Sequence, residues 1–217
     1  MNNLKQERVA ITGGFGFIGA NTISYLNSVG YTDIDIYETV NWQKKWKNTI
    51  GLKYNPVIYT NIERLINEAH TYDFIIHLSA NSSTQAEPNE ENWKTNYIDT
   101  INLIKATPLK TKFIFASSAS TYGLEEKNFV ERIDGLEPIC FYAYTKWKCD
   151  EFILQVNKPN IYGLKFFNVF GSKLEQYKGN ETIIERVKSH AYHAYVENNL
   201  TGKKVVEKLK EWNIVKD

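Results

Sequence analysis

Short runs of apolar and β-branched residues alternate along this chain with longer stretches in which apolar positions recur every three to four residues. RVAITG is β-branched and apolar and stops at a glycine, the pattern of a buried strand. FIGANTISYLNSVG then carries Phe17, Ile18, Ile23, Tyr25, Leu26 and Val29 at helical spacing and ends at Gly30. DIDIYE, PVIYTN, DFIIHLSA, KFIFASSAS and NIYGLKFFNVFG read as five further strands. Between them, IERLINEAHTY, NWKTNYIDTINLIKAT and CFYAYTKWKCDEFILQVN read as helices. Strand–helix alternation of this kind predicts an α/β fold, a Rossmann-type doubly wound parallel sheet. The stretch from Asn41 to Asn55 is less regular: Trp42 and Trp46 share a helical face amid Lys44, Lys45 and Lys47, as a half-buried turn or a border to an adenosine. Beyond Lys178 the pattern changes to two amphipathic helical stretches without a strand. One compact domain is expected, residues 1–178 forming the dinucleotide-binding part and 179–217 a helical extension.

Composition narrows the partners. The chain is 42% hydrophobic and 24% charged, and its 26 Lys+Arg face 25 Asp+Glu for a net charge of +1. That balance argues against a nucleic-acid binder. No apolar run reaches the ~18 residues of a spanning helix, and no leader precedes the first strand, so no membrane partner is expected. Cys140 and Cys149 fit no metal or redox spacing and suit a reducing cytoplasm. His190 and His193 are three apart with no third ligand, so no metal site is expected. His77, inside a strand, reads as a core or edge histidine.

Gly13, Gly16 and Gly19 lie between the first strand and the first helix. Glycines there let the backbone approach a pyrophosphate, and the helix start, with Phe17 and Ile18, offers N–H groups and a positive dipole. Glu38 ends the second strand, where a carboxylate accepts both ribose hydroxyls and repels a 2′-phosphate. NAD is therefore the expected cofactor, with NADP kept open by Lys44 and Lys45. Asn61 follows the third strand, placed to meet an adenine edge or to cap the next helix.

The fifth strand runs into SSASTYG, at the ligand edge of a parallel sheet. Ser118 there can hydrogen-bond a substrate hydroxyl. In FYAYTKWKCDE, Tyr142 and Lys146 are four apart and share a helix face, whereas Tyr144 points elsewhere. A phenol titrates near ~10, and an ammonium one turn away is expected to lower that by roughly two to three pKa units. The trio Ser118, Tyr142 and Lys146 then forms an acid–base site for oxidising an alcohol, with Tyr142 and Lys146 also against the cofactor.

TGGFGFIGAN, HLSA, SSASTYG, YAYTK and FFNVFG, in this order, resemble the extended short-chain dehydrogenases/reductases of the sugar-nucleotide epimerase and dehydratase group. Within it, SANSST, SSASTYG followed by FVER, FYAYTKWKCDE, and FFNVFG followed by YKG are most similar to the ADP-glycero-manno-heptose 6-epimerase family. The resemblance implies a nucleotide-sugar substrate, NAD that takes up and returns a hydride, and a homodimer formed by the helix of Tyr142 with that around Asn96 to Ile104, through Ile98, Ile101 and Ile104. It implies Lys178 as a second base, the other reading being a solvated lysine. It further implies Ser82, Ser83 and Asn168 at the sugar-nucleotide, and Ala80 and Asn96 near the cofactor, the latter bracing the strand of Ser118. Ala119 and Ser120 stand where dehydratases of the group carry an acid pair, which favours epimerisation. Members of the group build a substrate domain after the FFNVFG strand, and the extension here is expected to be reduced. Three consequences stay open: a smaller or differently held sugar, a second chain completing the site, or an NAD-binding protein without turnover.

Overall fold

The computed structural model describes residues 7–38, 42–124, 129–130 and 133–169. They form a six-stranded sheet of β1 (Val9–Thr12), β2 (Ile34–Tyr37), β3 (Ile58–Tyr59), β4 (Phe74–His77), β5 (Lys112–Ser118) and β6 (Ile161–Phe166). The order is β3-β2-β1-β4-β5-β6 and every pairing is parallel. The chain winds outward from β1 in one direction, then returns to β4 on its other side. That reversal opens a crevice at the carboxyl ends of β1 and β4, where ligands of such sheets bind.

Period-two alternation divides the strands between two core layers. Val9, Ile11, Ile34, Ile36, Phe74, Ile76 and Ile114 pack on one face with Ile23 and Leu26 of α1 (Phe17–Ser28). Ala10, Ile75, Phe113 and Phe115 face the other way, against α3 (Ile62–Glu68), α5 (Asp99–Ala106) and α6 (Phe141–Val156) through Leu65, Leu103, Ile104 and Cys149. A short α2 (Trp42–Lys45) continues as a 3₁₀ turn at Trp46–Thr49.

The helix expected over NWKTNYIDTINLIKAT is interrupted. It runs as α4 (Glu90–Trp93), a π turn (Lys94–Ile98) and α5. The wider turn carries Asn96, whose side chain reaches across to Asn81 rather than lying along the helix. The apolar stripe assigned to a dimer face also falls elsewhere. Ile104 lies in the core layer and is 0% exposed, and Ile101 is 8% exposed, while Ile98 is half-buried. Among the described residues, no helix is long and apolar enough to cross a membrane.

Candidate active site

Gly13 holds φ +70°, and a Cβ on it would stand 3.0 Å from the Ser79 backbone nitrogen beyond β4. A Cβ on Gly19 would come within 2.2 Å of the Gly13 carbonyl oxygen, so a glycine there lets α1 lie against the turn. Gly16 is the N-cap of α1, without a side-chain cap, and the first turn, with Phe17 and Ile18, holds no acidic residue. Nothing in that turn repels an anion approaching the positive end of the helix.

Glu38 follows β2 and is 4% exposed. Its Oε2 accepts the Phe15 N–H at 3.1 Å, and its Oε1 pairs with Lys45 Nζ at 3.0 Å. A buried carboxylate thus sits against the glycine turn, in reach of a ribose lying across it. The turn and Glu38 fit a dinucleotide: backbone for the pyrophosphate, carboxylate for the adenosine ribose. Asn61, beyond β3, caps α3 by accepting the Glu63 N–H at 2.8 Å.

The catalytic candidates come from two neighbouring elements. Ser118 is the last residue of β5, where the strand passes into a 3₁₀ turn at Ala119–Tyr122. Its Oγ accepts the Ser120 N–H at 3.2 Å and lies 2.8 Å from Ser120 Oγ. Tyr142 stands in the first turn of α6, with Lys146 one turn on. Lys146 is 1% exposed; its Nζ lies 4.4 Å from the Phe115 ring centroid and 5.8 Å from that of Tyr142. Tyr144 is on the outer side, stacked on Trp93 and tilted against Trp147.

The electrostatics differ from the simple expectation for Tyr142. Burial raises the phenol above its ordinary range, the Ser118 hydrogen bond opposes this, and Cys140 adds to the rise. The net direction is upward, against the lowering expected from Lys146. Burial brings the ammonium itself down to about 8, with Cys149 and Asp150 working in the opposite direction.

Asn96 has a different duty from the expected one. It clamps the segment after β4, with Oδ1 accepting the Asn81 N–H at 2.8 Å and Nδ2 donating to the Asn81 carbonyl at 3.0 Å and to Thr145 Oγ1 at 3.3 Å. The strand it braces is thus β4, not that of Ser118, because the π turn faces the loop leading out of β4. Ala80, half-buried, lies just before this clamp. Ser82 and Ser83 are exposed beyond it, the Ser83 N–H donating to Asn81 Oδ1 at 3.2 Å. Asn168 is exposed past β6, and Lys178 lies outside the described residues.

His77 occupies the floor, 1% exposed, with Nδ1 2.8 Å from Thr12 Oγ1 and Nε2 3.0 Å from Thr100 Oγ1. Thr100 donates its hydroxyl proton to the Asn96 carbonyl at 2.9 Å, so it accepts from Nε2–H, and Thr12 donates to a bare Nδ1. Burial pushes this imidazole down to about 3, with Lys146 adding to the shift.

Several residues at the site lay outside the sequence reading. Thr121 extends the hydroxyl lining beyond Ser118. Asp150 stands on α6 one turn beyond Lys146, and Lys165 on β6 reaches it at 2.6 Å. The four-residue interval that links Tyr142 to Lys146 also leads to Asp150. No comparable signal marks Lys165, whose partners are all distant in sequence. No group of three metal-ligating side chains occurs among the described residues.

Comparison with known proteins agrees with this arrangement. An ADP-L-glycero-D-manno-heptose-6-epimerase of Brachyspira hyodysenteriae is 31% identical over 198 residues, 86% of this chain and 60% of that protein. The crystal structure of ADP-L-glycero-D-manno-heptose-6-epimerase from Helicobacter pylori superposes with a TM-score of 0.69 at 25% identity, covering 88% of this chain and 64% of that one. UDP-N-acetylglucosamine 4-epimerase of Methanobrevibacter ruminantium, in complex with UDP-N-acetylmuramic acid, has a TM-score of 0.68 at 22% identity with the same coverage, a likeness of fold. The chain thus spans a little over 60% of the length of these relatives. The sequence profile of the NAD dependent epimerase/dehydratase family matches residues 9–217, and with its glycine turn, acidic strand end and Ser/Tyr/Lys site the chain belongs to that family.

Proposed function

We propose that this protein epimerises a nucleotide-linked sugar, with an ADP-linked heptose as the substrate. The observation that carries the reading is the placement of Ser118 at the end of β5, Tyr142 in the first turn of α6 and Lys146 buried one turn on, its Nζ 5.8 Å from the Tyr142 ring centroid. When bound, NAD supplies the acceptor and later the donor of a hydride at the sugar carbon. Gly13, Gly16 and Gly19 with the α1 amides hold its pyrophosphate, and Glu38 its ribose. Ser118 orients the reacting hydroxyl, sharing its hydrogen-bonding capacity between Ser120 and Tyr142. Tyr142 takes the hydroxyl proton as the carbon becomes a ketone, and Lys178 gives a proton to the oxygen when the opposite face is reduced; in the reverse direction the two exchange roles. Lys146, buried beside the Tyr142 ring, holds an ammonium whose positive charge favours the phenolate. Lys178 serves as the second base on the other face of the sugar, and Ser82, Ser83 and Asn168 hold the substrate.

Support for the heptose comes from the heptose-epimerase relatives among the similar proteins and from Ala119 and Ser120, which supply no carboxylate for dehydration. For assembly, two copies would meet through the aromatic surface of Trp93, Phe141, Tyr144 and Trp147, in which Tyr144 is exposed and the others half-buried. Two free cysteines support a cytoplasmic setting. The test is absorbance at the reduced-nicotinamide band after mixing the NAD-loaded protein with ADP-heptose and, separately, UDP-hexoses. Transient reduction with ADP-heptose, lost at least a hundredfold in Tyr142→Phe, is expected. Reduction by UDP-hexoses alone would remove the heptose assignment, and tight NAD binding with no reduction would remove turnover.

A further inference from the structure

A chain of buried polar contacts joins the two halves of the candidate active site from behind. β5 and β6 pair with Ser117 opposite Lys165, so both side chains lie beneath α6. Ser117 Oγ donates to Asp150 Oδ2 at 2.8 Å, and Lys165 Nζ donates to the same oxygen at 2.6 Å. Lys165 Nζ also donates to Thr121 Oγ1 at 2.8 Å, and Thr121 passes its own proton to the Ser118 carbonyl at 2.8 Å. Lys165 and Asp150 are only 16% and 7% exposed along their side chains.

We propose that Lys165 and Asp150 are positioning residues, a strut that fixes the Ser118 corner of the sheet to the helix carrying Tyr142 and Lys146. The ammonium reaches one group on the helix and another in the turn after Ser118. Neither contact alone would couple the elements. Thr121 then relays the constraint to the backbone of Ser118, and through it to the hydroxyl that meets Tyr142. A surface pair of this kind contributes little, but here the partners are largely desolvated and share their hydrogen bonds with Ser117 and Thr121.

The charged and titratable surroundings are few. Around Asp150 stand Lys165 from β6 and Lys146 from its own helix. Around Tyr142 stand Ser118 from β5, Cys140 ahead of α6 and Lys146 one turn on, its Nζ 5.8 Å from the ring centroid. Lys146 has His77 of β4 near it, besides Cys149 and Asp150. Slackening the strut therefore acts on Tyr142 mainly through Ser118.

The inference rests on the reading of Tyr142 as the proton acceptor, so the experiment follows Tyr142 itself, without need of turnover. In protein labelled with ¹³Cζ-tyrosine, the Tyr142 resonance is assigned by its disappearance in Tyr142→Phe and its midpoint is measured by pH titration. In Lys165→Met the midpoint is expected to move upward by roughly half a pH unit or more, the effect of losing one hydrogen bond to the phenolate. Lys165→Arg, which keeps a cationic donor, is expected to bring it back. Thr121→Val, which removes only the relay to Ser118, should move it in the same direction and serves if Lys165→Met does not fold. An unmoved Tyr142 midpoint in the folded variants, with only a lowered melting temperature, would overturn the proposal and leave the strut a scaffold. A shifted midpoint in a protein that never reduces its nicotinamide would leave the strut in place and overturn the functional reading instead.

Discussion

Lys146 holds an ammonium where the fold opposes it. Its folded pKa of about 8 lies below the 10.5 of an exposed lysine, so below pH 8 the folded protein keeps a proton that burial disfavours. The unfolded chain binds more protons between pH 8 and 10.5, so this group's cost to stability is fully present below 8 and is relieved as pH rises through that window. Lys146→Met should therefore raise the unfolding free energy at pH 7 by about 1–3 kcal/mol, while abolishing hydride transfer. Urea titrations at pH 7 and 9.5 would check this, the gap between the two proteins narrowing at the higher pH; a less stable variant at pH 7 would refute it. The pairing of Tyr142 with Lys146 was legible because a four-residue interval maps onto one helix face without knowledge of any other element. The state of the phenol was not. It depends on how deeply the site is buried and on Ser118, a residue 24 positions earlier in the chain.

At the level of elements, the π turn is the feature that the apolar pattern does not disclose. Periodicity detects a helix by its buried stripe, and one added residue in a single turn changes that stripe too little to register. Its consequence is nonetheless specific: Asn96 satisfies both the N–H and the carbonyl of Asn81. Asn96→Ala leaves two backbone groups unpaired, one of them beside the cofactor crevice, and should cost roughly 2–4 kcal/mol. Chemical denaturation would measure the loss, and amide exchange at Asn81 should accelerate well beyond the global change. Uniform exchange across the sheet would instead mean that Asn96 acts only through general packing. The six strands and their parallel order, by contrast, were readable from the chain, since each short apolar run is separated from the next by a segment long enough to cross over. The strands are shorter than the apolar runs that announce them, β3 most of all, at two residues on the sheet edge.

At the scale of the whole molecule, His77 is an acid-sensitive point among the described residues. His77 lies between the strand of the glycine turn and the helix after the π turn, so both layers depend on its remaining neutral. Its folded pKa of about 3 lies below the unfolded 6.5, so the unfolded chain binds the extra proton between these values. Stability is unaffected by this group above 6.5 and declines as pH falls toward 3, by on the order of 3 kcal/mol at pH 4. Nitrogen NMR should find His77 neutral, with its proton on Nε2, throughout pH 4.5–7.5, while the urea midpoint decreases over the acid part of that range. A His77 titration centred near 6.5 would refute both.

Strand order also sets a sequence of events during synthesis. β1 is central, and by the time His77 has emerged its neighbours β2 and β4 and the edge strand β3 are all available, so the glycine turn and Glu38 can be in place. Ser118, Tyr142, Lys146 and Asp150 are made next, but β6 is still unmade, and with it Lys165. Until that last strand docks, Asp150 lacks its ion-pair partner and the lower side of α6 stays open to water. The nascent chain thus acquires the half that recognises a dinucleotide before the half that uses it, and a ligand grasped early would meet a reactive centre closed only by the arrival of the sixth strand.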